Sequence, residues 1–301
     1  MSNMLDISLL GTSGMIPLHN RYLTAMLARH NGHLLLIDCG EGTQVTMREL
    51  GWGFVNLNVL LMTHFHADHI SGLPGLLLSL SNYGKKDPLY IVGPKGIEAV
   101  VNSLCVIAPN LMYAIEIIEL ENEARRIEVG GWYISTLPLE HGLPCFGYSI
   151  HIPRIGKFNV AHAEEQNIPV KYWSRLQHGE TVEHFTPDMV LGEPRKGIKV
   201  SYITDTRPID TIPAFIKDAD LFICEGMYGD DAMKEKADRF YHMIFSDATK
   251  LAKAGDVNEL WLTHYSQAFT DPDAHIPAVA SIFSNVKAGY DRMTKTITFV
   301  D

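Results

Sequence analysis

The chain has 301 residues, of which 46% are apolar and 20% are charged, a composition typical of a globular protein with one large domain or two small ones. Its formal net charge of −10 at pH 7 excludes a generally basic nucleic-acid-binding surface, so a polyanion would need a local basic patch or a metal ion. No uninterrupted apolar run reaches the length of a membrane span, and the N-terminal residues lack the pattern of a secretory signal, so we expect no membrane association.

The cysteines indicate the redox environment. Cys39, Cys105, Cys145 and Cys224 form no C-x-x-C pair, and each lies in an apolar stretch. We therefore expect reduced, buried thiols in a cytoplasmic protein.

The first half of the chain alternates apolar runs with turn signals. Residues 23–28 and 33–38 flank Asn31-Gly32, a strong hairpin signal. Residues 57–62 predict a buried strand that runs directly into Thr63-His64, and the pattern after His69 predicts a helix packed under it. The remaining strands predicted in this half are residues 5–10, 89–92, 127–129, 133–137 and 147–152, and the remaining helices are residues 44–50 and 97–107.

Residues 153–200 differ in character from the rest of the chain. They include four prolines and no long periodic stretch, and they are nearly neutral although the chain as a whole is strongly acidic. We interpret them as an extended arm inserted into a single domain of residues 1–301, because they lack the apolar mass for a core of their own. The alternative is an ordinary long surface loop.

The strand and helix rhythm resumes after this segment. The predicted strands are residues 199–204, 221–224, 259–263 and 296–300, and the predicted helices are residues 242–254 and 273–286. Together with the first half, this pattern predicts an α/β fold in which two mixed sheets stack with helices outside, a four-layer α/β/β/α sandwich.

The strongest chemical signal is an H-x-H-x-D-H motif formed by His64, His66, Asp68 and His69. It follows a buried strand and opens a helix, so its side chains can converge on one point. Imidazole nitrogens and a carboxylate oxygen suit Zn²⁺, Fe or Mn²⁺, and the absence of cysteine from the motif argues against a closed structural thiolate site. The alternative is three structural histidines and an aspartate that caps the helix.

One cluster of four side chains cannot hold two metal ions, but further ligand-type residues follow other predicted strands. His141 follows the strand at residues 133–137, Asp205 ends the strand at 199–204, and His264 ends the strand at 259–263. Taken alone, each is more typical of a structural or surface residue. Because strand ends gather at one edge of a sheet, we expect them to join the motif.

These residues resemble the metallo-β-lactamase superfamily and, more closely, its ribonuclease Z branch, the tRNA 3′-processing endonucleases. The resemblance covers nearly the whole chain. It is carried by GTSGMIP (residues 11–17) with Arg21, LIDCGEGTQ (36–44), HFHADHISGLPGLL (64–77), YIVGPKGI (90–97), PLEHGLPCFGY (138–148), YITDTRP (202–208), ICEGMY (223–228), His242-Met243 and LTHYS (262–266).

The resemblance implies a metallo-β-lactamase-type fold with two zinc ions per chain, although Mn²⁺ or Fe also suits these ligands. One ion would take His64, His66 and His141, the other Asp68, His69 and His264, and Asp205 would bridge them. Two such cations can clamp a phosphate and activate a water as hydroxide.

The resemblance also implies three catalytic roles. Asp68 would accept a proton from the attacking water. His242 would be the general acid that protonates the leaving 3′-oxygen, and Glu225 would orient it. Without the resemblance, His242 is more typical of a histidine on a helix surface. Asp38, at a strand end beside the cluster, is expected to hold a ligand histidine by a hydrogen bond.

The implied function is a zinc-dependent endoribonuclease that cleaves the 3′ trailer of precursor tRNA, in a cytoplasmic homodimer. The family's arm carries a Gly-Pro-rich motif that binds tRNA, whereas residues 170–175 of this chain contain no Gly-Pro pair. Two alternatives therefore stay open, a hydrolase or phosphodiesterase for a small or non-tRNA substrate and a non-catalytic metal-binding module. Tyr172 and Trp173 in the arm would either stack on bases or pack the arm.

Overall fold

The computed structural model describes residues 4–300 of the chain, and these divide into two compact units. The first takes in everything up to His151 together with Lys199–Thr298, and the second comprises Ile152–Ile198 and residues 299–300. Within residues 4–300, every helix is too short or too polar to traverse a lipid bilayer.

The described residues form fourteen strands and ten helices. The strands are β1 (Met4–Gly11), β2 (Ala25–His30), β3 (His33–Ile37), β4 (Leu57–Leu61), β5 (Leu89–Pro94), β6 (Ile115–Leu120), β7 (Arg125–Val129), β8 (Trp132–Glu140), β9 (Pro144–Arg154), β10 (Arg195–Ile203), β11 (Leu221–Glu225), β12 (Leu260–Thr263), β13 (Val286–Ala288) and β14 (Thr294–Thr298). The helices are α1 (Thr43–Leu50), α2 (Ala67–Ile70), α3 (Leu73–Asn82), α4 (Ile97–Cys105), α5 (Val160–Glu165), α6 (Val170–Gln177), α7 (Ile212–Ile216), α8 (Lys234–Arg239), α9 (Phe245–Ala254) and α10 (Ile276–Ala280).

Two seven-stranded mixed sheets organise the first unit. One has the order β14-β1-β2-β3-β4-β5-β6, and the other has the order β13-β12-β11-β10-β9-β8-β7. The predicted Asn31-Gly32 hairpin joins β2 to β3, with both residues at positive φ as this tight turn requires. β3, β4 and β5 run parallel in the first sheet, and β10 to β13 run parallel in the second. The predicted α/β class with two mixed sheets is therefore confirmed.

Each sheet is covered by helices on its outer face. Leu76 and Leu80 of α3 join a buried apolar cluster with Leu36 of β3, while Phe245 of α9 joins another with Leu262 of β12. The strand residues that alternate with these, whose side chains point to the opposite face of each sheet, are also buried. Between the sheets, the Tyr148 hydroxyl in β9 donates to the Met62 carbonyl after β4 over 2.7 Å. The inner faces of the sheets therefore meet, and the four layers are helix, sheet, sheet and helix.

The second unit has a small apolar cluster, which the sequence did not predict. It is formed by Ala163, Ile168, Leu176, Phe185 and Val190. Tyr172 and Trp173 of α6 are half-buried against it, and the Trp173 indole donates to the Ile168 carbonyl over 2.9 Å. The expectation that this segment lacks the apolar mass for a core was wrong, since α5, α6 and the loops that follow them supply a small one. Both aromatic residues therefore contribute to packing within this unit.

Other differences concern element boundaries. The helix predicted at residues 273–286 is a 3₁₀ turn at Asp273–His275, then α10, then β13. β6, α5, α6, α7 and α8 were not predicted. The helix predicted from His242 begins instead at Phe245, because His242 still belongs to the turn that closes α8 and Ile244 caps α9.

The strand ends that matter for function lie at one edge. The Phe146 amide of β9 donates to the Thr63 carbonyl after β4 over 3.0 Å, which brings the two sheets together there. The residues that leave β3, β10 and β12 at this edge are Asp38, Asp205 and His264, with φ of 59°, 45° and 57°. The left-handed conformation is costly for residues other than glycine and is concentrated at functional sites.

Candidate metal centre

The histidines and aspartates expected to bind metal do converge. His64 and His66 follow β4, Asp68 and His69 lie in α2, and His141, Asp205 and His264 follow β8, β10 and β12. Their candidate ligand atoms form one group with His64, His66, His141 and Asp205 and another with Asp68, His69 and His264, each group within 4.8 Å.

In the first group, three imidazole nitrogens surround a common point. Nδ1 of His66 lies 3.1 Å from Nε2 of His64 and 3.1 Å from Nε2 of His141. Oδ2 of Asp205 lies 3.6 Å from Nε2 of His64 and 3.4 Å from Nε2 of His141. Ligand atoms around a tetrahedral Zn²⁺ with bonds of about 2.0–2.1 Å stand about 3.3–3.4 Å apart, so the spacing fits.

The second group repeats this arrangement. Nε2 of His69 and Nε2 of His264 are 3.1 Å apart, and Oδ2 of Asp68 lies 3.4 Å from Nε2 of His264. Oδ1 of Asp205 lies 3.3 Å from His69 and 3.2 Å from His264. Asp205 thus presents Oδ2 to the first group and Oδ1 to the second, which is the geometry of a bridging carboxylate.

The hydrogen bonds made by the imidazole nitrogens that point away from the cluster indicate whether a cation fits inside it. Nδ1 of His141 lies 3.1 Å from the Tyr241 carbonyl, and Nδ1 of His69 lies 2.8 Å from the Asp38 carboxylate. Both partners only accept, so each Nδ1 carries the proton and each Nε2 directs a lone pair into the cluster. Lone pairs that face one another at 3.1 Å need either a proton or a metal ion between them, and a set of imidazole nitrogens and carboxylate oxygens at this spacing fits divalent metal ions.

One buried carboxylate orients histidines of both groups. Asp38 accepts from the Thr63 amide at 2.8 Å and from the Thr63 hydroxyl at 2.9 Å. Because that hydroxyl donates to Asp38, it accepts from Nδ1 of His64, 3.0 Å away. Asp38 therefore orients His69 directly and His64 through Thr63. The expected hydrogen bond between Asp38 and a candidate ligand histidine is present, whereas the contact through Thr63 was not predicted because no residue pattern signals it.

The charges of the cluster favour a cation. Burial opposes ionisation of Asp205, but the neighbouring imidazoles of His264 and His69 hold its pKa well below the usual range. Burial favours neutral His69, but the charges of Asp205 and Asp38 raise its pKa well above normal. Burial lowers the pKa of His64. Protons and metal ions compete for the same lone pairs here, so metal affinity should fall at low pH.

His242 stands beside the cluster without belonging to the two groups above. Its ring centroid lies 5.2 Å from that of His141 and 5.7 Å from that of His264. Nδ1 of His242 lies 3.0 Å from Oε2 of Glu225, which also accepts the Met243 amide at 3.3 Å. Burial lowers the pKa of His242, but the charge and hydrogen bond of Glu225 outweigh it and raise the pKa to about 9. His242 can therefore carry a proton at neutral pH.

The end of α8 explains the position of His242. Tyr241 has φ of 60°, its amide donates to the Asp238 carbonyl at 3.4 Å, and the His242 amide donates to the Ala237 carbonyl at 2.8 Å. This pair of bonds is a Schellman motif, normally built on glycine at the left-handed position. The same turn aims the Tyr241 carbonyl at His141 and His242 at Glu225. Tyr241 acts through its backbone, which left no side-chain signal in the sequence.

The loop after β1 completes the site. A Cβ at Gly14 would lie 2.8 Å from Cε1 of His264, so only glycine lets the loop approach this ring. The next amide, of Met15, donates to Oδ2 of Asp68 over 2.8 Å, and Met15 has φ of 71°. Gly14 and Met15 belong to the segment at residues 11–17 that carries the family resemblance, but their contacts with His264 and Asp68 were not predicted.

The chain is similar over nearly its whole length to proteins named ribonuclease Z and to solved structures of the same fold. A protein named ribonuclease Z from Lachnospira eligens is 49% identical over 302 residues, which covers 99% of each chain. The crystal structure of human tRNase Z, short form, matches with a TM-score of 0.71 at 23% identity, over 98% of this chain and 100% of that one. The metallo-β-lactamase fold protein YhfI from Bacillus subtilis matches with a TM-score of 0.71 at 19% identity, over 98% of this chain. A family model described as Anti-Pycsar protein Apyc1 matches residues 5–104, less than half of the chain.

Proposed function

The chain belongs to the ribonuclease Z family, and on that basis we propose that it is a metal-dependent endoribonuclease that hydrolyses the phosphodiester bond joining precursor tRNA to its 3′ trailer. The observation that carries the proposal is the joint presence of two ligand groups bridged by Asp205 and, beside them, a histidine oriented by a buried carboxylate. A purely structural metal site needs no such outlying acid.

We assign the metal ligands in two sets. His64, His66 and His141 would hold one ion, Asp68, His69 and His264 the other, and Asp205 both. Nitrogen and oxygen donors at tetrahedral spacing favour Zn²⁺, with Mn²⁺ or Fe as alternatives. When bound, such ions supply positive charge for the phosphate and make water nucleophilic at neutral pH.

The remaining chemistry belongs to side chains of this protein. In the hydrolysis, a bond forms between the water oxygen and phosphorus, and the bond from phosphorus to the 3′-oxygen breaks. His242, held protonated by Glu225, donates its proton to the departing 3′-oxygen. Asp68, ionised and fixed by the Met15 amide, accepts a proton from the attacking water. Glu225 also accepts the Thr206 amide over 2.6 Å, so it holds the Asp205 strand end and His242 together.

We further propose that the enzyme works in the cytoplasm as a homodimer. Free thiols at all four cysteines suit a reducing compartment, where precursor tRNA is found. The dimer rests on the family resemblance, in which the arm of one subunit can serve the active site of the other. Sedimentation at micromolar concentration tests it, and a monomer at all concentrations would contradict it.

The net charge of −10 and the absence of a Gly-Pro pair from residues 170–175 favour a second candidate, a hydrolase for small phosphodiesters. The two functions separate in one experiment on the purified, metal-replete protein. We expect a precursor tRNA to be cut once at the trailer with kcat/KM far above that for bis(p-nitrophenyl) phosphate. Hydrolysis of the aryl diester without tRNA cleavage would favour the second candidate.

A further inference from the structure

A separate cavity of about 180 Å³ lies between the loops that follow β11 and β12. Three aromatic side chains, Tyr228, Phe269 and His275, contribute to its wall. The polar and charged lining residues are Ser266, Lys236 and Asp230, and the Asp230 carboxylate accepts the Ala232 amide over 2.9 Å. Cavities that enclose a drug-sized ligand measure about 300–1,000 Å³, so this one suits a single ring system.

The walls of the cavity are built by close packing. The rings of Phe269 and His275 meet edge to face with centroids 4.9 Å apart. A Cβ at Gly229 would lie 2.4 Å from Cζ of Phe269 and 2.7 Å from Cγ of His275, so glycine is needed next to Tyr228. Nζ of Lys236 lies 5.0 Å from the Tyr228 ring centroid. An aromatic ring with an adjacent cation is the combination that binds a base together with its phosphate.

Short chain connections tie the cavity to the reaction centre. Ser266 follows His264 by two residues, a distance of at most about 7 Å along the chain, and its amide donates to the Met227 carbonyl over 3.1 Å. Cε of Met227 and Nε2 of His264 both lie 3.1 Å from the point where Gly14 would carry a Cβ. The Tyr228 carbonyl accepts the Phe245 amide at 2.9 Å, just beyond the turn that carries His242. Connections of a few residues therefore join the walls of the cavity to His264 on one side and to the turn that carries His242 on the other.

We propose that this cavity binds the base of the unpaired nucleotide whose 3′-oxygen is the leaving group, with the base against Tyr228 and the preceding phosphate near Lys236. The inference rests on the proposed function, because His242 protonates that same oxygen. Ring stacking tolerates any base, so the cavity positions the nucleotide without reading its identity.

Single-turnover cleavage of precursor tRNA tests the proposal with Tyr228→Ala and Tyr228→Phe. Removing the ring should lower kcat/KM roughly 5- to 100-fold, the usual worth of one base stacked on an aromatic side chain, and phenylalanine should restore it. An abasic nucleotide on the 5′ side of the cleaved bond should lower kcat/KM of the wild type by the same factor. It should lower kcat/KM of Tyr228→Ala hardly at all. Tyr133→Ala, an exposed tyrosine on β8, is the matched control and should respond to the abasic substrate like the wild type.

Two outcomes overturn the proposal, namely equal abasic losses in wild type and Tyr228→Ala, or coupling only to an abasic nucleotide on the 3′ side. A second measurement does not require cleavage of precursor tRNA. A short RNA ending in a 3′-hydroxyl should inhibit hydrolysis of bis(p-nitrophenyl) phosphate, less so with an abasic end, and Tyr228→Ala should abolish that difference. If the RNA inhibits with this difference although precursor tRNA is not cut, the proposed function fails and the cavity assignment stands. If neither measurement shows a difference between the normal and the abasic nucleotide, the cavity assignment is wrong.

Discussion

The Asp38 carboxylate lies 2.8 Å from Nδ1 of His69, and neither side chain is exposed to solvent. This contact fixes the ring so that Nε2 faces the cluster. The same carboxylate accepts the hydroxyl of Thr63, which in turn contacts His64. Two histidines that we propose as ligands of different metal ions therefore depend on one buried acid.

Replacing Thr63 by valine should weaken metal binding at the first ligand group. Valine keeps the shape of threonine but removes the hydroxyl that orients His64, and loss of such an outer partner typically costs about 10–100-fold in metal affinity. Competition with a chromophoric chelator measures the affinity of each ion. Thr63→Ser should restore most of the loss, whereas an equal defect in both variants would show that only packing matters.

Asp205→Ala should empty or weaken both metal sites, because its two oxygens face different ligand groups. His264→Ala should mainly deplete the second site and leave close to one ion per chain. Elemental analysis of dialysed, metal-replete protein gives the stoichiometry, and chelation should abolish hydrolysis. Wild-type protein that never exceeds one ion per chain would contradict the dinuclear assignment.

His242→Ala should retain its metal ions but lose roughly 10²–10⁴ in turnover on precursor tRNA, the usual contribution of a positioned general acid. The loss should shrink on an aryl diester, since a nitrophenolate leaves without protonation. His33→Ala, an exposed histidine in the β2–β3 hairpin, is the control and should be unaffected. Equal losses on both substrates would mean that His242 binds substrate instead.

Glu225→Gln should move the alkaline limb of the pH–rate profile to lower pH. A general acid works in its protonated form, so wild-type turnover should fall as pH rises through the His242 pKa of about 9. Without the Glu225 charge, burial dominates and lowers that pKa, so the protonated form is lost earlier. The measurement is kcat from pH 6 to 10 on precursor tRNA, and an unchanged limb would exclude Glu225 as the group that sets it.

Lys171→Glu with Arg175→Glu should weaken precursor tRNA binding through the arm. Both side chains are exposed on one face of α6, whereas Tyr172 and Trp173 are occupied in packing. We expect a higher KM and a salt dependence shallower by about one unit per lost phosphate contact, with aryl diester hydrolysis unchanged. Lys250→Glu with Lys253→Glu on α9 carries the same charge change and should behave like the wild type. A KM unaffected by the α6 changes would remove the arm from tRNA binding.

The sequence by itself determined the candidate ligand types and their strand-end positions, because apolar strands and turn residues are local signals. H-x-H-x-D-H and the residues that follow β8, β10 and β12 were readable for that reason. Only the tertiary structure decided which oxygen of Asp205 faces which histidines, and that Thr63 links Asp38 to His64. It also decided that His242 closes α8 in a Schellman motif instead of opening α9. These features depend on backbone carbonyls, left-handed turns and contacts between distant strands, which a residue pattern does not encode.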